Sequence, residues 1–333
     1  MKFSIIIVTY NRHKELFNCL ESITRTLTPH PYEVIVIFNG DRTYMEKCSQ
    51  TFKKFSLHFI HKTTPSAARN LGISKARGEY VFFLDDDCTL PETYFSLVDF
   101  TQNWDVLGGP DQTPQVSSTL QSTIGRALSS PLCMGPTYKR HTIRGGYLSS
   151  TSEKSLILCN LWFKKSLFTE ERFQFNPELF RNEENYLLKE LKNSEKVLHH
   201  SPHLFVYHQR KNNLESLGSA IIKSGECRIQ NIALLPQKKE AFYLLPLLWL
   251  GLLCWMTFHP QSILTNAFIV YTALVALYYV VTYKAFSFRY IFLHYFILGT
   301  YSIGLIKGIW KFYPMFYSNL RENKSLIKES SSK

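Results

Sequence analysis

The sequence predicts an α/β fold, in which helices cover both faces of a mostly parallel β-sheet, followed by transmembrane helices near the C-terminal end. Three observations predict this architecture. Short apolar segments alternate with helical segments between Phe3 and Leu84. Three consecutive aspartates follow the last of these apolar segments. Two long segments in the last third of the chain contain no charged residue.

Four apolar segments are typical of buried strands, because they are continuous and rich in β-branched and aromatic residues. They run from Phe3 to Val8, from Tyr32 to Phe38, from Leu57 to Ile60 and from Tyr80 to Leu84. Helical periodicity predicts helices between them, from His13 to about Arg25, from Tyr44 to Phe55 and from Ser66 to Ala76. Strands that alternate with helices in this way form a parallel sheet covered on both faces.

Asp85, Asp86 and Asp87 stand where the fourth predicted strand leaves the sheet. Three adjacent carboxylates repel one another, and burying them unpaired is costly. Mg²⁺ or Mn²⁺ removes this repulsion, because such ions prefer oxygen ligands and commonly hold phosphates. Open α/β sheets bind ligands beyond the carboxyl ends of their strands. The triplet therefore predicts a site for a metal ion and a diphosphate, with a solvated acidic turn as the alternative.

The first hundred residues resemble family-2 glycosyltransferases. Ser4 to Arg12 is similar to the opening strand and loop of that family. Ala68 to Ile73, Ala76 to Glu79 and Phe83 to Asp87 resemble the approach to its DxD motif, in the same order and spacing. The resemblance extends, more loosely, to about Arg228. It implies a GT-A (Rossmann-like) fold and transfer of a sugar from a nucleotide diphosphate, usually with inversion at the anomeric carbon.

The same resemblance implies roles for individual residues. Asp87 and Asp85 are the expected metal ligands. The residues expected to bind the donor are Thr9, Tyr10, Asn11, Arg12, Asn39, Arg69, Asp85, Asp86, His208 and Arg210. One position departs from the family, since Phe38, with Asn39 beside it, stands where an acidic residue often contacts the base. The donor therefore stays open between a UDP-sugar and a GDP-sugar.

A second acidic pair, Glu183 and Glu184, opens a segment with leucines at helical spacing. Acidic residues in the first turn of a helix are favoured by the helix dipole, so capping is one explanation. In the resembled family a Glu-Asp pair lies here, and its second member is the general base. The resemblance thus gives Glu184 the role of base and Glu183 a supporting role. Glutamate in place of aspartate lengthens the side chain by one methylene, which requires a local backbone adjustment.

Val206 to Arg210 resembles the closing strand and loop of the family near the diphosphate. We expect His208 to bind metal or phosphate and Arg210 to pair with it, the alternative being a structural histidine. Val106 to Pro110 and Cys159 to Lys165 resemble segments on the acceptor side, and we expect Trp162 and Phe163 to be core residues. Thr113 to Ser155 is rich in Ser, Thr, Pro and Gly, which predicts a long irregular loop.

The formal net charge of +12 calls for an anionic partner. No zinc finger, RNP-like segment or basic helix accompanies it, so we expect no nucleic-acid partner. Anionic lipid and the phosphates of a sugar nucleotide account for the charge better. The seven cysteines include no Cys-x-x-Cys pair, which indicates reduced thiols and neither a disulfide framework nor a zinc site. Met1 to Ser4 has no signal-peptide character, so we expect a cytoplasmic catalytic part.

The two segments without charge run from Ala241 to Phe258 and from Ile263 to Tyr283. Both approach or reach the length of about 20 residues that crosses a bilayer. Lys and Arg flank the pair but are missing from the turn at 259–262, which places both ends in the cytoplasm. Tyr290 to Trp310 contains His294, Lys307 and three glycines, so we predict an interfacial or re-entrant helix there rather than a third span. A helix from Leu214 to Ile232, with Lys223 and Arg228 on its polar side, precedes the membrane part.

Taken together, we expect a cytoplasmic GT-A domain over residues 1–235, a membrane domain over 236–317 and a polar tail over 318–333. The leading hypothesis is a multi-pass, metal-dependent, inverting glycosyltransferase of the cytoplasmic membrane, acting on a lipid-linked or envelope glycan acceptor. A sugar nucleotidyltransferase is an alternative, but Thr9 to Lys14 lacks the glycine-rich phosphate loop that it needs. A catalytically degenerate membrane scaffold is the other, since function depends on the site rather than the fold.

Overall fold

The computed structural model describes residues 1–284 and 287–330, and for Lys238 and residues 316–330 only the backbone. The chain divides into two compact units, the first from Met1 to Arg210 and the second beginning at Lys211. This division lies before the predicted boundary after residue 235. It differs because the helix that follows residue 213 packs on the last helix of the chain rather than on the sheet.

The first unit contains ten strands in two sheets. In chain order they are β1 (Phe3–Thr9), β2 (Tyr32–Asn39), β3 (Ser56–Ile60), β4 (Tyr80–Leu84), β5 (Cys88–Thr89), β6 (Val106–Gly108), β7 (Asp111–Gln112), β8 (Asn160–Lys164), β9 (Leu198–His200) and β10 (Val206–His208). The large sheet has the order β3-β2-β1-β4-β8-β6-β9. Its strands are parallel except for β8, which is antiparallel to both β4 and β6. The predicted α/β class is therefore confirmed.

The register of the large sheet places several predicted site residues at one edge. β1 pairs in parallel with β2, so that Thr9 lies opposite Phe38. β1 also pairs in parallel with β4, with Ile6 opposite Phe83, so the aspartates after Leu84 leave the sheet near the end of β1. Because carboxyl ends of parallel strands meet at the same edge, these side chains come together without a shared sequence motif.

A second sheet of three short strands has the order β5-β10-β7. β10 is antiparallel to β5, with His208 opposite Cys88. It is parallel to β7, with Val206 opposite Asp111. This small sheet brings three chain segments that are far apart in the sequence to the end of β4.

The first unit, which the structure describes in full, contains seven α-helices. They are α1 (His13–Arg25), α2 (Met45–Thr51), α3 (Pro65–Lys75), α4 (Thr119–Leu128), α5 (Pro131–Met134), α6 (Ser166–Thr169) and α7 (Glu183–Asn193). Trp162 and Phe163 are fully buried and lie in the cores on opposite faces of the sheet, because neighbouring residues of a strand point in opposite directions. The expectation that both are core residues is confirmed.

The irregular loop predicted over Thr113 to Ser155 is partly wrong, since α4, α5 and a short 3₁₀ helix at Gly135–His141 lie within it. α4 begins with a capping box: the Ser118 side chain accepts a hydrogen bond from the Gln121 backbone, and the Gln121 side chain accepts one from the Ser118 backbone. This pair satisfies backbone donors at the helix start. A polar composition therefore hid a helix that is stabilised by that polarity.

The second unit consists of helices α8 (Leu214–Leu234), α9 (Leu245–Phe258), α10 (Ile263–Tyr283) and α11 (Phe288–Ser330), with a 3₁₀ turn at Lys238–Leu244 before α9. Three segments, Lys239–Phe258, Ile263–Tyr283 and Phe288–Met315, are long and apolar enough to cross a membrane by length and composition. A re-entrant segment requires a turn inside the bilayer, and α11 has no break between 290 and 310. The re-entrant alternative predicted for this segment therefore does not fit the structure.

Two further differences concern the ends of this unit. Arg228 does not lie on an exposed polar face of α8, because it is buried with its guanidinium 4.1 Å from the centre of the Tyr243 ring. The backbone of α11 continues through most of the predicted polar tail, to Ser330, since Pro314 is the last proline in the chain and no glycine follows it. Residues 331–333 of that tail lie outside the described part of the chain.

Candidate active site

Asp86, the middle residue of the triplet, points into the protein. It is buried, accepts a hydrogen bond from Thr9 Oγ1 at 2.8 Å and pairs with Arg12 Nη1 at 2.9 Å. Burial raises the pKa of Asp86 to about 7, against the opposing effect of Arg12. Asp86 and Thr9 therefore fix the β1 loop to the end of β4. The donor contacts expected of these two side chains stay a prediction.

Asp87 lies between two cationic groups. Its Oδ2 is 2.6 Å from Arg12 Nη1, and its Oδ1 is 3.3 Å from His208 Nε2. His208 donates its other ring hydrogen, on Nδ1, to Asp111 Oδ2 at 2.6 Å. Burial alone would lower the pKa of His208, but Asp87 and Asp111 raise it well above its usual range. The carboxylate expected to bind a metal ion is thus already in a positively charged environment.

Asp111 is fully buried and is the centre of a network behind His208. Besides His208 it accepts hydrogen bonds from Arg210 Nη1 at 2.8 Å, from Arg210 Nη2 at 2.6 Å and from His141 Nδ1 at 2.6 Å. Burial would raise the pKa of Asp111, but these cationic partners hold it well below its usual range. The predicted contact between Arg210 and His208 exists only as a long 3.5 Å approach to Nδ1. Since Arg210 is buried and bound to Asp111, it supports His208 instead of facing a donor.

Arg69 joins the two acidic clusters. Its Nη2 lies 3.5 Å from Asp85 Oδ1, and its Nη1 forms an ion pair with Glu183. Arg69 is nearly buried, whereas the Asp85 side chain is 36% exposed and so remains open to a ligand. Burial raises the pKa of Glu183 to about 7, against the effect of Arg69. Arg69 therefore brings the triplet after β4 and the glutamate pair at the start of α7 next to each other.

Glu184 has a different set of neighbours. Its Oε1 accepts a hydrogen bond from the Asn185 side-chain amide at 2.9 Å and lies 3.9 Å from Arg140 Nη1. Arg140 is buried and also donates to Asn185 Oδ1 and to the backbone oxygen of Glu153. The residue before α7, Asn182, has φ of +62°, a left-handed conformation that asparagine adopts more readily than most residues.

The remaining predicted donor-binding residues lie on the loops around β1 and β2. The Asn39 amide donates to Thr63 O at 3.1 Å and accepts from Thr63 N at 2.9 Å, so it is occupied by the neighbouring loop rather than open to a donor. Tyr10 is exposed, and Lys62 Nζ lies 2.9 Å from the centre of its ring. Asn11 has φ of +52°, which turns the chain sharply between Tyr10 and Arg12.

Sequence reasoning did not find Asp111, His141 or Arg140. No local motif marks them, since Asp111 meets His208 only through the pairing of β7 with β10. It also missed that Cys88, Cys159 and His208 offer ligand atoms within 4.8 Å of one another, because the two cysteines are far apart in the chain. Both thiols are buried, and burial raises the pKa of Cys88 well above its usual value.

Comparison with known proteins agrees with this geometry. Residues 4–148 match the family described as glycosyl transferase family 2. An uncharacterized glycosyltransferase of Rickettsia bellii is 38% identical over 89 residues, which cover 26% of this chain and 13% of that protein. The uncharacterized glycosyltransferase YwdF of Bacillus subtilis is 38% identical over 26% of this chain and 33% of its own length. Glycosyltransferase GlyA of Streptococcus pneumoniae is 24% identical over 64% of this chain and 31% of its own length.

Among solved structures, the mannosyltransferase PcManGT of Pyrobaculum calidifontis, in complex with GDP-Man and Mn²⁺, has a TM-score of 0.62. The likeness covers 93% of this chain and 87% of that chain at 15% identity, so it concerns the fold. This chain spans a third or less of the length of the three relatives compared by sequence, from Rickettsia bellii, Bacillus subtilis and Streptococcus pneumoniae. The first unit has a GT-A fold, and its residues 4–148, less than half of the chain, match glycosyl transferase family 2. The predicted fold is confirmed, and the family match agrees with the predicted resemblance.

Proposed function

We propose that this chain is a membrane-anchored, metal-dependent glycosyltransferase that moves a sugar from a nucleoside diphosphate to an acceptor hydroxyl with inversion. The observation that carries the proposal is Arg69, which contacts Asp85 of the triplet and Glu183 of the glutamate pair. A sugar held between these two clusters has a diphosphate-binding side and a proton-accepting side. One inverting displacement needs both of these.

The donor side is built around Asp85 and Asp87. Their carboxylate oxygens are ligands that suit Mg²⁺ or Mn²⁺. His208 Nε2, 3.3 Å from Asp87, would join them only after losing its proton. A divalent cation there supplies charge neutralisation for the departing diphosphate. Arg12 is well placed to contribute to the same task, because its guanidinium is partly exposed beside Asp87. The Mn²⁺ and GDP-Man in the PcManGT complex agree with this assignment.

The acceptor side is built around Glu184. We assign it the role of general base, since its hydrogen bond from the Asn185 amide leaves carboxylate lone pairs for a proton. Glu183 holds Arg69 against the cleft and so positions the base indirectly. The acceptor oxygen forms a bond to the anomeric carbon while the bond from that carbon to the phosphate oxygen breaks. The hydroxyl proton passes to Glu184, and the nucleoside diphosphate leaves with the electron pair.

The C-terminal helices support anchoring of this domain to a membrane. Two segments, Lys239–Phe258 and Ile263–Tyr283, have the length and apolar character of spans, and their flanking lysines favour the cytoplasmic face for both ends. Confinement to a membrane raises the local concentration of an acceptor presented in the same plane. We therefore propose a lipid-linked or envelope glycan acceptor and a UDP- or GDP-sugar donor.

The test is release of nucleoside diphosphate by the purified full-length chain, with a panel of UDP- and GDP-sugars and Mn²⁺ or Mg²⁺. We expect one donor to be hydrolysed or transferred, and Asp87→Ala to lose that turnover while its thermal unfolding midpoint stays near that of the parent. Asp99→Ala, at an exposed aspartate of the same unit, is the matched control and should keep full activity. Wild-type activity in Asp87→Ala would remove Asp87 from the mechanism. If no sugar nucleotide of the panel released nucleoside diphosphate, the scaffold alternative would be favoured.

A further inference from the structure

The second unit contains a close helix pair that the predicted membrane topology does not include. α8 packs along α11 in parallel: Gly218 faces Phe296, Gly225 faces Tyr301 and Gly308 faces Ile229. A Cβ atom at Gly225 would lie 2.6 Å from the Tyr301 carbonyl oxygen, and one at Gly308 would lie 2.8 Å from that of Glu226. Glycine at these positions lets the two backbones approach closely. The contact therefore fixes α8 against α11 from about residue 296 to about residue 308.

Charged groups run along this helix pair. Glu226 of α8 forms ion pairs with Lys223 at 3.1 Å and with Lys311 of α11 at 2.7 Å. The Lys311 side chain is more than half exposed, and Glu215 near the start of α8 is exposed as well. Charges of this kind are costly in the hydrocarbon core of a membrane. If α11 crossed the bilayer through residues 296–311, it would carry the charged helix α8 into the hydrocarbon with it.

The contacts of α11 with α9 and α10 give an independent indication. Tyr290 stacks on Tyr279 with ring centres 4.7 Å apart, and Tyr295 stacks on Phe268 at 5.4 Å. The partner on α10 changes from Tyr279 to Phe268 as α11 runs from Tyr290 to Tyr295. Along this part of α11, the partner on α10 thus lies progressively nearer the turn at 259–262 that joins α9 and α10.

The contact on α9 moves the other way. Tyr295 stacks on Trp249 at 5.4 Å, and Ser302 Oγ donates to Pro246 O at 2.8 Å, farther from that turn. α11 is therefore antiparallel in its contacts with both α9 and α10. A third helix that ran lengthwise beside the antiparallel helices α9 and α10 would be parallel to one of them. Because α11 is antiparallel to both in its contacts, it crosses over the pair. It contacts α10 at Tyr279 and α9 at Pro246, both away from the turn, at the two ends of this crossing.

The face of α11 that α8 does not cover has the composition of a membrane-surface helix. Ile303, Ile306, Trp310 and Tyr313 recur at helical spacing and are all exposed. Lys307 and Lys311 flank this stripe and are exposed too. Apolar residues with Trp and Tyr, bordered by lysines, suit the boundary between headgroups and acyl chains of an anionic bilayer.

We propose that α8 and residues 296–315 of α11 form a two-helix element that lies in the membrane interface, with the stripe of Ile303, Ile306, Trp310 and Tyr313 in contact with lipid. Only α9 and α10 cross the bilayer. The inference rests on the proposed membrane anchoring. Its occupant is the headgroup region of an anionic bilayer, because the exposed charges beside the stripe are lysines.

The test measures the depth of spin labels in the full-length chain reconstituted into vesicles that contain anionic lipid. Cys254→Ser removes the exposed native cysteine, and the other six are buried. Single cysteines then replace Ile303 or Tyr313 on α11, and Leu274 or Val281 on α10 as the matched pair; all four parent side chains are exposed. Relative accessibility to oxygen and to a water-soluble nickel chelate reports the depth of each label.

We expect the α10 pair to differ by about 10 Å in depth, since seven residues separate them at about 1.5 Å each. The α11 labels should both contact lipid at a shallow depth that differs by less than about 5 Å, whereas a spanning helix would separate them by about 15 Å. A deep label at Ile303 with a shallow one at Tyr313 would overturn the inference and leave the anchoring intact. Labels on α11 that contact water alone would also overturn it. A water-accessible label at Leu274 would instead contradict the membrane anchoring itself.

Discussion

The two acidic clusters of the first unit share one plan and differ in one respect. Each contains a carboxyl group that is buried, has a raised pKa and is held by an arginine: Asp86 by Arg12 and Glu183 by Arg69. Beside each lies the carboxylate to which the proposed mechanism gives a chemical role, Asp87 in the first cluster and Glu184 in the second. In both places the residue held by arginine fixes the loop, and the proposed mechanism assigns the substrate to its neighbour.

The difference lies in what surrounds the second carboxylate. Asp87 contacts two cationic groups, Arg12 and His208, and His208 is in turn held by Asp111. Glu184 has an amide donor at 2.9 Å and a guanidinium only at 3.9 Å. The first environment suits a carboxylate that stays charged. The second suits a group that accepts a proton, so neighbours distinguish two roles that the residue type alone does not.

The largest effect that tests this difference is expected for Glu184→Gln. An amide cannot accept the acceptor proton, so the turnover number should fall by about 10²- to 10⁴-fold while donor affinity stays unchanged. Single-turnover transfer at saturating donor measures the first quantity, and displacement of a bound nucleotide measures the second. Glu190→Gln, on the same helix, is the control and should keep near-parent rates. An unchanged rate in Glu184→Gln would transfer the role of base to Glu183 or to a residue outside the pair.

A smaller effect should follow from Asp111→Asn, which removes the carboxylate behind His208. Groups that orient a metal-binding histidine typically change metal affinity or activity by about 10- to 100-fold when they are replaced. We expect the Mn²⁺ concentration for half-maximal turnover to rise within that range, with little change in the rate at saturating Mn²⁺. Asp105→Asn, at a carboxylate that pairs with Lys164, is the matched control. If both variants had the same Mn²⁺ dependence, Asp111 would have no part in binding the metal ion.

The last effect concerns stability rather than turnover and should leave both clusters untouched. His200 at the end of β9 is buried, and burial lowers its pKa to about 4. As the pH falls, the unfolded chain binds a proton at this histidine below about pH 6.5, whereas the folded chain binds one only near pH 4. The free energy of unfolding therefore decreases between these two pH values, by about 3 kcal/mol. His200→Phe should remove this part of the acid sensitivity, measured as urea unfolding midpoints in detergent at pH 7.5 and 4.5. His203→Phe, at an exposed histidine, should keep the parent pH slope, and an unchanged slope in His200→Phe would contradict the assignment.

The sequence predicted those parts of the fold that depend on local patterns. α1 has the predicted limits, and β1, β2 and β4 agree with their predicted limits to within a residue, because continuous apolar runs and helical periodicity are local. The aspartate and glutamate clusters were found for the same reason. Asp111, His141 and Arg140 escaped, since Asp111 lies 30 residues from His141 and 97 from His208, and Arg140 lies 45 residues from Asn185, so that only the fold brings these side chains together. Arg228 was misplaced because the helical pattern alone did not show that Tyr243 covers its side chain.

The ion pair between Arg69 and Glu183 also limits how the two halves of this domain can be exchanged. The segment that matches the family ends at residue 148, whereas Glu183 and Glu184 come later in the chain. A chimera that grafts the corresponding segment of another protein after that point keeps the guanidinium of residue 69 but replaces its counter-ion. Unless the graft brings an acidic residue to the same place, a nearly buried positive charge is left without compensation, and recombinants should be screened first for that pair.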